Sequence, residues 1–130
     1  MAAFSSSAAV LLRRMRSSSL RMRFSSALLM LPAGVLLGLD GKNGWRIFRR
    51  DRYKHASPNS AQTESVCAGL LGLRLAGDAW YHGELHKKEY IGDPVREIEY
   101  EDIPRACRLL YATAVLALVL GVAVRFLILR

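Results

Sequence analysis

LLYATAVLALVLGVAV, residues 109–124, runs without a charged side chain between Arg108 and Arg125, and FLIL follows before Arg130. At a helical rise of 1.5 Å per residue the run covers about 24 Å, and FLIL extends it to a hydrocarbon core of roughly 30 Å if Arg125 reaches back to the interface. Residues 109–129 are therefore predicted as a transmembrane helix. Asp102 is a candidate amino-terminal cap with Pro104 in the first turn, so the helix is expected to begin in the polar region and continue unbroken into the apolar run.

A second apolar block, FSSALLMLPAGVLLGL, occupies residues 24–39, and Pro32 removes one backbone donor near its middle. It reads as a kinked span or as a re-entrant stretch, and both readings stay open. The fold class expected is mainly α: a membrane protein with one or two transmembrane helices and an extramembrane loop, residues 40–108, of mixed helical and irregular structure.

The formal net charge is +8, and all eleven acidic residues fall between Asp40 and Asp102. Residues 1–23 carry only arginine as charge and are rich in serine, which is the composition of an organellar transit peptide. The preferred reading is plainer, an arm translated from a misplaced start codon. The five basic residues between Arg46 and Lys54 abut an apolar block, where they set topology or meet anionic lipid. That position speaks for membrane lipid and against nucleic acid as partner. Cys67 and Cys107 are too few for a disulfide framework or a four-cysteine zinc site, and both are expected as buried thiols.

At the start of the loop, Gly38, Asp40, Gly41, Asn43 and Gly44 suggest a turn, and WRIFRRDRYKH after them spaces its apolar residues as a short interfacial helix. Ser57 and Pro58 offer a helix start, Val66, Leu70 and Leu73 an apolar face, and Gly77 an end. Residues 78–98 lose the helical period and are expected as short extended pieces and turns. His82 and His86 are four apart, but Gly83 between them disfavours a helix and no third ligand is evident. They read as solvated loop histidines. Gly41-Lys42 has neither the spacing nor the hydroxyl of a phosphate-binding loop. Trp45, Phe48, Trp80 and Tyr81 have the flat faces to stack on a corrin or nucleobase, but for Trp45 and Phe48 the interfacial anchor is preferred.

Read as a string, the loop carries Lys54-His55-x-Ser57-Pro58-Asn59, then Ala68-Gly69-x-Leu71-Gly72, then Tyr81, Ile91-Gly92-Asp93 and Glu101-Asp102-Ile103. In that order and register it resembles the carboxyl-terminal loop of the adenosylcobinamide-phosphate synthase family of cobalamin biosynthesis, over roughly residues 23–120. The family's proteins are much longer, so the chain is expected to be a carboxyl-terminal part of such a synthase. It departs from the family pattern at Ser60, Ala61, Asp78, Ala79, Lys87 and Glu89. Ala61 stands in place of a glycine, and its Cβ is expected to obstruct a close backbone approach or a positive φ.

The resemblance implies an ATP-dependent amide ligase that joins aminopropanol, or its phosphate, to the carboxyl group of adenosylcobyric acid. It implies ATP and Mg²⁺ as co-substrate and metal, and the corrinoid as partner. The missing upstream part of the synthase is a further expected partner, supplied as a separate chain, and the cell membrane the location, with the loop in the cytosol. Lys54, His55, Asn59 and Lys88 are the expected catalytic residues, with the lysines facing phosphate and His55 taking the amine's proton. Ser57, Arg74, Tyr81, Asp93 and Arg96 are expected to bind substrate, and Glu64 to reach the metal. The competing expectation is a non-catalytic membrane protein that acts only by helix association.

Overall fold

The structure, a computed structural model, describes residues 26–55 and 60–130. The arm of residues 1–23 and the proposed helix start at Ser57-Pro58 lie outside the described residues. Among the described residues, four helices and four short strands follow in order: α1 (Ser26–Leu36), α2 (Gly41–Asp51), α3 (Ser60–Leu71), β1 (Leu75–Ala76), β2 (Ala79–Tyr81), β3 (Glu84–His86), β4 (Tyr90–Ile91) and α4 (Asp102–Ile128). The chain is mainly helical.

Glycine sets the helix ends. At the end of α1, Gly38 takes φ +79°, and Leu39 N–H donates to the Gly34 carbonyl at 2.9 Å. At the end of α3, Gly72 takes φ +69° and Leu73 N–H donates to the Ala68 carbonyl at 2.9 Å. Both are six-to-one closures that need a left-handed residue after the last turn. The third helix therefore stops at Gly72 and not at Gly77. Of the turn expected from Gly38 to Gly44, Gly38 makes the turn, whereas Gly41 to Gly44 are already helical, because the Asp40 carboxylate accepts the Asn43 N–H at 3.0 Å and caps α2.

Helices α2 and α3 touch backbone to backbone. A Cβ on Gly69 would lie 2.7 Å from Gly44 Cα, and Asn43 Nδ2 donates to the Gly69 carbonyl at 2.7 Å. Around this crossing Ala27 and Ala33 of α1, Phe48 of α2, Val66 and Leu70 of α3 and Leu109 of α4 form one core. Phe48 is fully buried. The interfacial reading of its ring is overturned, since α2 turns that face onto α1 and α3; Trp45, half exposed, keeps its ring outside. A second, smaller core joins Ala61, Ala68 and Ile91. Ala61 thus sits inside a helix with its Cβ packed, and the obstruction expected there does not arise.

Strands β1 and β4 pair antiparallel, Leu75 with Ile91 and Ala76 with Tyr90. Strands β2 and β3 form a hairpin, Ala79 with His86 through Tyr81 with Glu84, closed by His82 and Gly83, both at positive φ. His82 and His86 are exposed, as loop histidines would be.

Helix α4 is the one described helix long and apolar enough to cross a membrane. It starts at Asp102 and passes residue 109 without a break, as its apolar run suggested. Asp102 is its first residue and not its cap. The carboxylate instead accepts the Glu99 N–H at 2.9 Å and pairs with Arg96 and Arg105. Only Asp102, Leu109 and Thr113 of α4 are buried. Cys107 stands on its bare face, so the expected buried thiol is an exposed one.

Candidate functional site

The basic run RRDRYK, residues 49–54, closes α2, and its single acid organises what surrounds it. Asp51 is fully buried. Its carboxylate accepts from Arg50 Nε at 2.6 Å and Nη2 at 2.8 Å, pairs with Lys54 Nζ at 3.0 Å, and accepts the Gly92 N–H at 2.8 Å. Burial opposes its charge, but Arg50, the Gly92 amide and Lys54 outweigh burial and hold the carboxyl well below the usual carboxylate range. Lys54 Nζ also donates to the Tyr90 carbonyl at 3.0 Å. The end of α2 is thereby tied to β4.

Gly92 is required there. Its φ is +82°, and a Cβ would fall on the Leu73 carbonyl and 2.8 Å from Ala68 Cβ. Next to it, Asp93 accepts from Arg46 Nη2 at 2.6 Å and Arg50 Nη1 at 2.8 Å, which lowers its pKa. The Ile-Gly-Asp segment is thus a clasp on α2.

Beside Lys54 opens a cleft of about 550 Å³, lined by Lys54, His55 and Ser60 on one wall and by His86, Lys87, Lys88 and Glu89 on the other. His55 Nε2 lies 3.4 Å from the Glu89 carbonyl and Nδ1 lies 3.6 Å from Glu64 Oε2. Lys88 Nζ donates to the Tyr81 hydroxyl at 3.2 Å and sits 4.8 Å above that ring, while its N–H donates to Asp78 Oδ1 at 3.1 Å. Lys87 has no ion pair or hydrogen bond among the described residues. Three lysines and two imidazoles about one concavity suit an oxyanion.

Three of the four residues expected to be catalytic, Lys54, His55 and Lys88, therefore meet in one cleft. Tyr81 joins through Lys88 and Glu64 through His55. Arg74 stands 4.4 Å over the Tyr90 ring, one residue from β4's end. Asp93 and Arg96 lie in ion-pair networks of their own: Arg96 Nε donates to the Leu71 carbonyl at the end of α3, at 3.1 Å, and its guanidinium pairs with Asp102 at the start of α4. Asn59 and Ser57 lie outside the described residues. No three His, Cys, Asp or Glu side chains among the described residues could hold a metal ion. Glu64 alone does not fit a protein-held Mg²⁺.

Asp51 and Lys87 were not anticipated. A lone acid inside a basic run was the available signal for Asp51, since a charge that survives among like neighbours of opposite sign has a structural partner.

Taken together, these features define a small helical loop domain, with an oxyanion-suited cleft, carried on a long apolar helix. The family model described as "CobD/Cbib protein" matches residues 20–110. "Cobalamin biosynthesis protein CobD" of Streptococcus sanguinis is 48% identical over 98 residues, 75% of this chain and 31% of that protein. The protein of the same name from Klebsiella pneumoniae is 46% identical over 101 residues, 78% of this chain and 32% of its own. "Cobalamin biosynthesis protein CbiB" of Salmonella typhimurium is 45% identical over 98 residues, 73% and 31%. The chain belongs to the CobD/CbiB family and matches a carboxyl-terminal part of it. It spans about a third of the length of the curated relatives it matches. No solved structure matches.

Proposed function

We propose that this chain acts in cobalamin biosynthesis and supplies one wall of the active site of an ATP-dependent ligase, which joins aminopropanol or its phosphate to adenosylcobyric acid. The observation that carries this reading is the meeting of Lys54, His55 and Lys88 in one cleft across more than thirty residues of sequence. A carboxylate is a poor electrophile and becomes a good one as an acyl phosphate, which needs cations about the transferring group. Lys54, Lys87 and Lys88 are placed to meet that charge. With Nε2–H donating to the Glu89 carbonyl, His55 keeps its lone pair on Nδ1, and the proton it takes from the attacking amine is balanced by Glu64. Asp51 holds Lys54 in place. ATP and Mg²⁺ enter as co-substrate and its counterion, and in this reading α4 crosses the cell membrane with the loop in the cytosol.

Most of α4 stands bare, which favours a second reading: a membrane protein that acts only by associating with other helices.

The test is a synthase-deficient bacterium fed the corrinoid acid. The chain expressed with the amino-terminal two-thirds of a relative restores amide formation, the chain alone does not, and Lys54→Ala, His55→Ala and Lys88→Ala each lower it roughly 10²-fold or more. Full activity of the three variants removes the cleft from the chemistry. In the same cells the chain stays with the membranes through an alkaline wash; recovery in the soluble fraction removes the membrane placement.

A further inference from the structure

A second concavity, about 590 Å³ and apolar, runs between α3, the segment before α4, and the first turns of α4, with Cys67, Leu71, Leu75, Ile98, Tyr100 and Ile103 on its walls. Its rim is bare: Tyr100 is 90% exposed, Ile103 66% and Ile98 62%. Apolar surface of this kind, gathered in one groove, marks an interaction site. Its level on the helix says what covers it. The α4 wall ends at Ala106, Arg108 follows, and the uncharged run begins only at residue 109. Ile103 therefore stands about 9 Å along the helix from Leu109, on the polar side of Arg105 and Arg108. With α4 crossing the membrane at its uncharged run, as proposed above, lipid chains end short of the groove, so its cover is polypeptide.

The family match, residues 20–110, contains every residue of the groove, and the relatives carry about twice as much chain again. We propose that the groove and the bare face of α4 beyond it seat an apolar helix from the remaining two-thirds of a family protein. A second copy of the chain fits less well. Arg105 is paired with Glu99 and Asp102, but two copies inserted in the same orientation would set Arg108 of one at the level of Arg108 of the other, and like charges at one level repel. The inference rests on family membership and on the proposed membrane placement of α4, not on the ligase chemistry. Its test reads binding and not turnover.

Two native thiols serve as reporters, Cys67 within the groove and Cys107 on the open face of α4. The full chain is expressed alone, with the amino-terminal two-thirds of the Streptococcus sanguinis relative, and with an unrelated two-span membrane protein, both chains being confirmed in the membrane by immunoblot. Maleimide labelling of Cys67 slows at least ten-fold with the relative's part alone, and the two chains co-purify in detergent. Ile103→Glu restores the labelling rate and abolishes co-purification. Tyr100→Glu, at a rim position too exposed to disturb folding, does the same with an unchanged circular dichroism spectrum. Equal labelling with and without the relative's part overturns the proposal, as does equal slowing by the unrelated protein. A Cys107-to-Cys107 cross-linked dimer of the lone chain, with Cys67 already protected, overturns it in favour of a second copy.

Discussion

Asp51 is the acid on which the cleft turns, and its chemistry makes a pH prediction. Its folded carboxyl lies below the ordinary value of 3.8, so its ion pairs contribute stability that is complete above about pH 4 and is lost as pH falls toward the folded value. Denaturant midpoints measured from pH 7 to pH 2 in detergent should hold level to about pH 4 and then fall. Asp51→Asn should start lower by about 3 kcal/mol, because it leaves the buried Gly92 amide and Lys54 with a weaker acceptor, and should lack most of that acid step. An identical acid step in the variant would place the titration elsewhere. Lys54, His55 and Lys88 were legible as a group only through a family pattern, since no spacing rule links residues 54 and 88. Ala61 shows the reverse error. A glycine-to-alanine difference invites a backbone explanation, yet the helix around residue 61 has ordinary geometry and a methyl-sized space, which only the packing of Ala68 and Ile91 reveals.

At the scale of elements, α2 and α3 approach as closely as two glycines allow. Gly69→Ala places a methyl group 2.7 Å from Gly44 Cα and 2.8 Å from the Asn43 carbonyl, so the helices must part. The expected cost is about 2–3 kcal/mol, read as a fall in thermal midpoint, while Gly121→Ala on α4, with nothing within 4 Å, is neutral or slightly stabilising. Equal midpoints for the two variants would show that the crossing is not tight. The long helix was legible because sixteen uncharged residues admit few other structures. The end of α3 was not, because LLGLRLAG offers two glycines, and the choice of Gly72 is made by Leu73 turning into the core and by Arg96, which binds the Leu71 carbonyl. Strands of two and three residues carry no period to read. Asp51 and Lys54, from another element, hold β4 in place, while the His82-Gly83 turn pairs β2 with β3.

On the scale of the whole molecule, the described chain divides into a packed part and two unsupported ones. The core joins α1, α2, α3 and the start of α4, while α4 beyond Leu116 and the β2–β3 hairpin stand apart from it. Every residue from Tyr81 to Tyr90 is exposed, and this ribbon bears Lys87 and Lys88, the far wall of the cleft. A lone two-stranded ribbon is marginally stable in water, whereas Lys54 and His55 hang from a helix that is locked on both sides. The two walls of the cleft therefore belong to different cooperative units. In hydrogen–deuterium exchange, the amides of β2 and β3 should exchange orders of magnitude faster than those of α3, and inorganic pyrophosphate should slow the hairpin amides alone. Uniform protection across both walls would make the cleft a rigid mould. Otherwise it works as a latch, whose free jaw is ordered by the anion it grips.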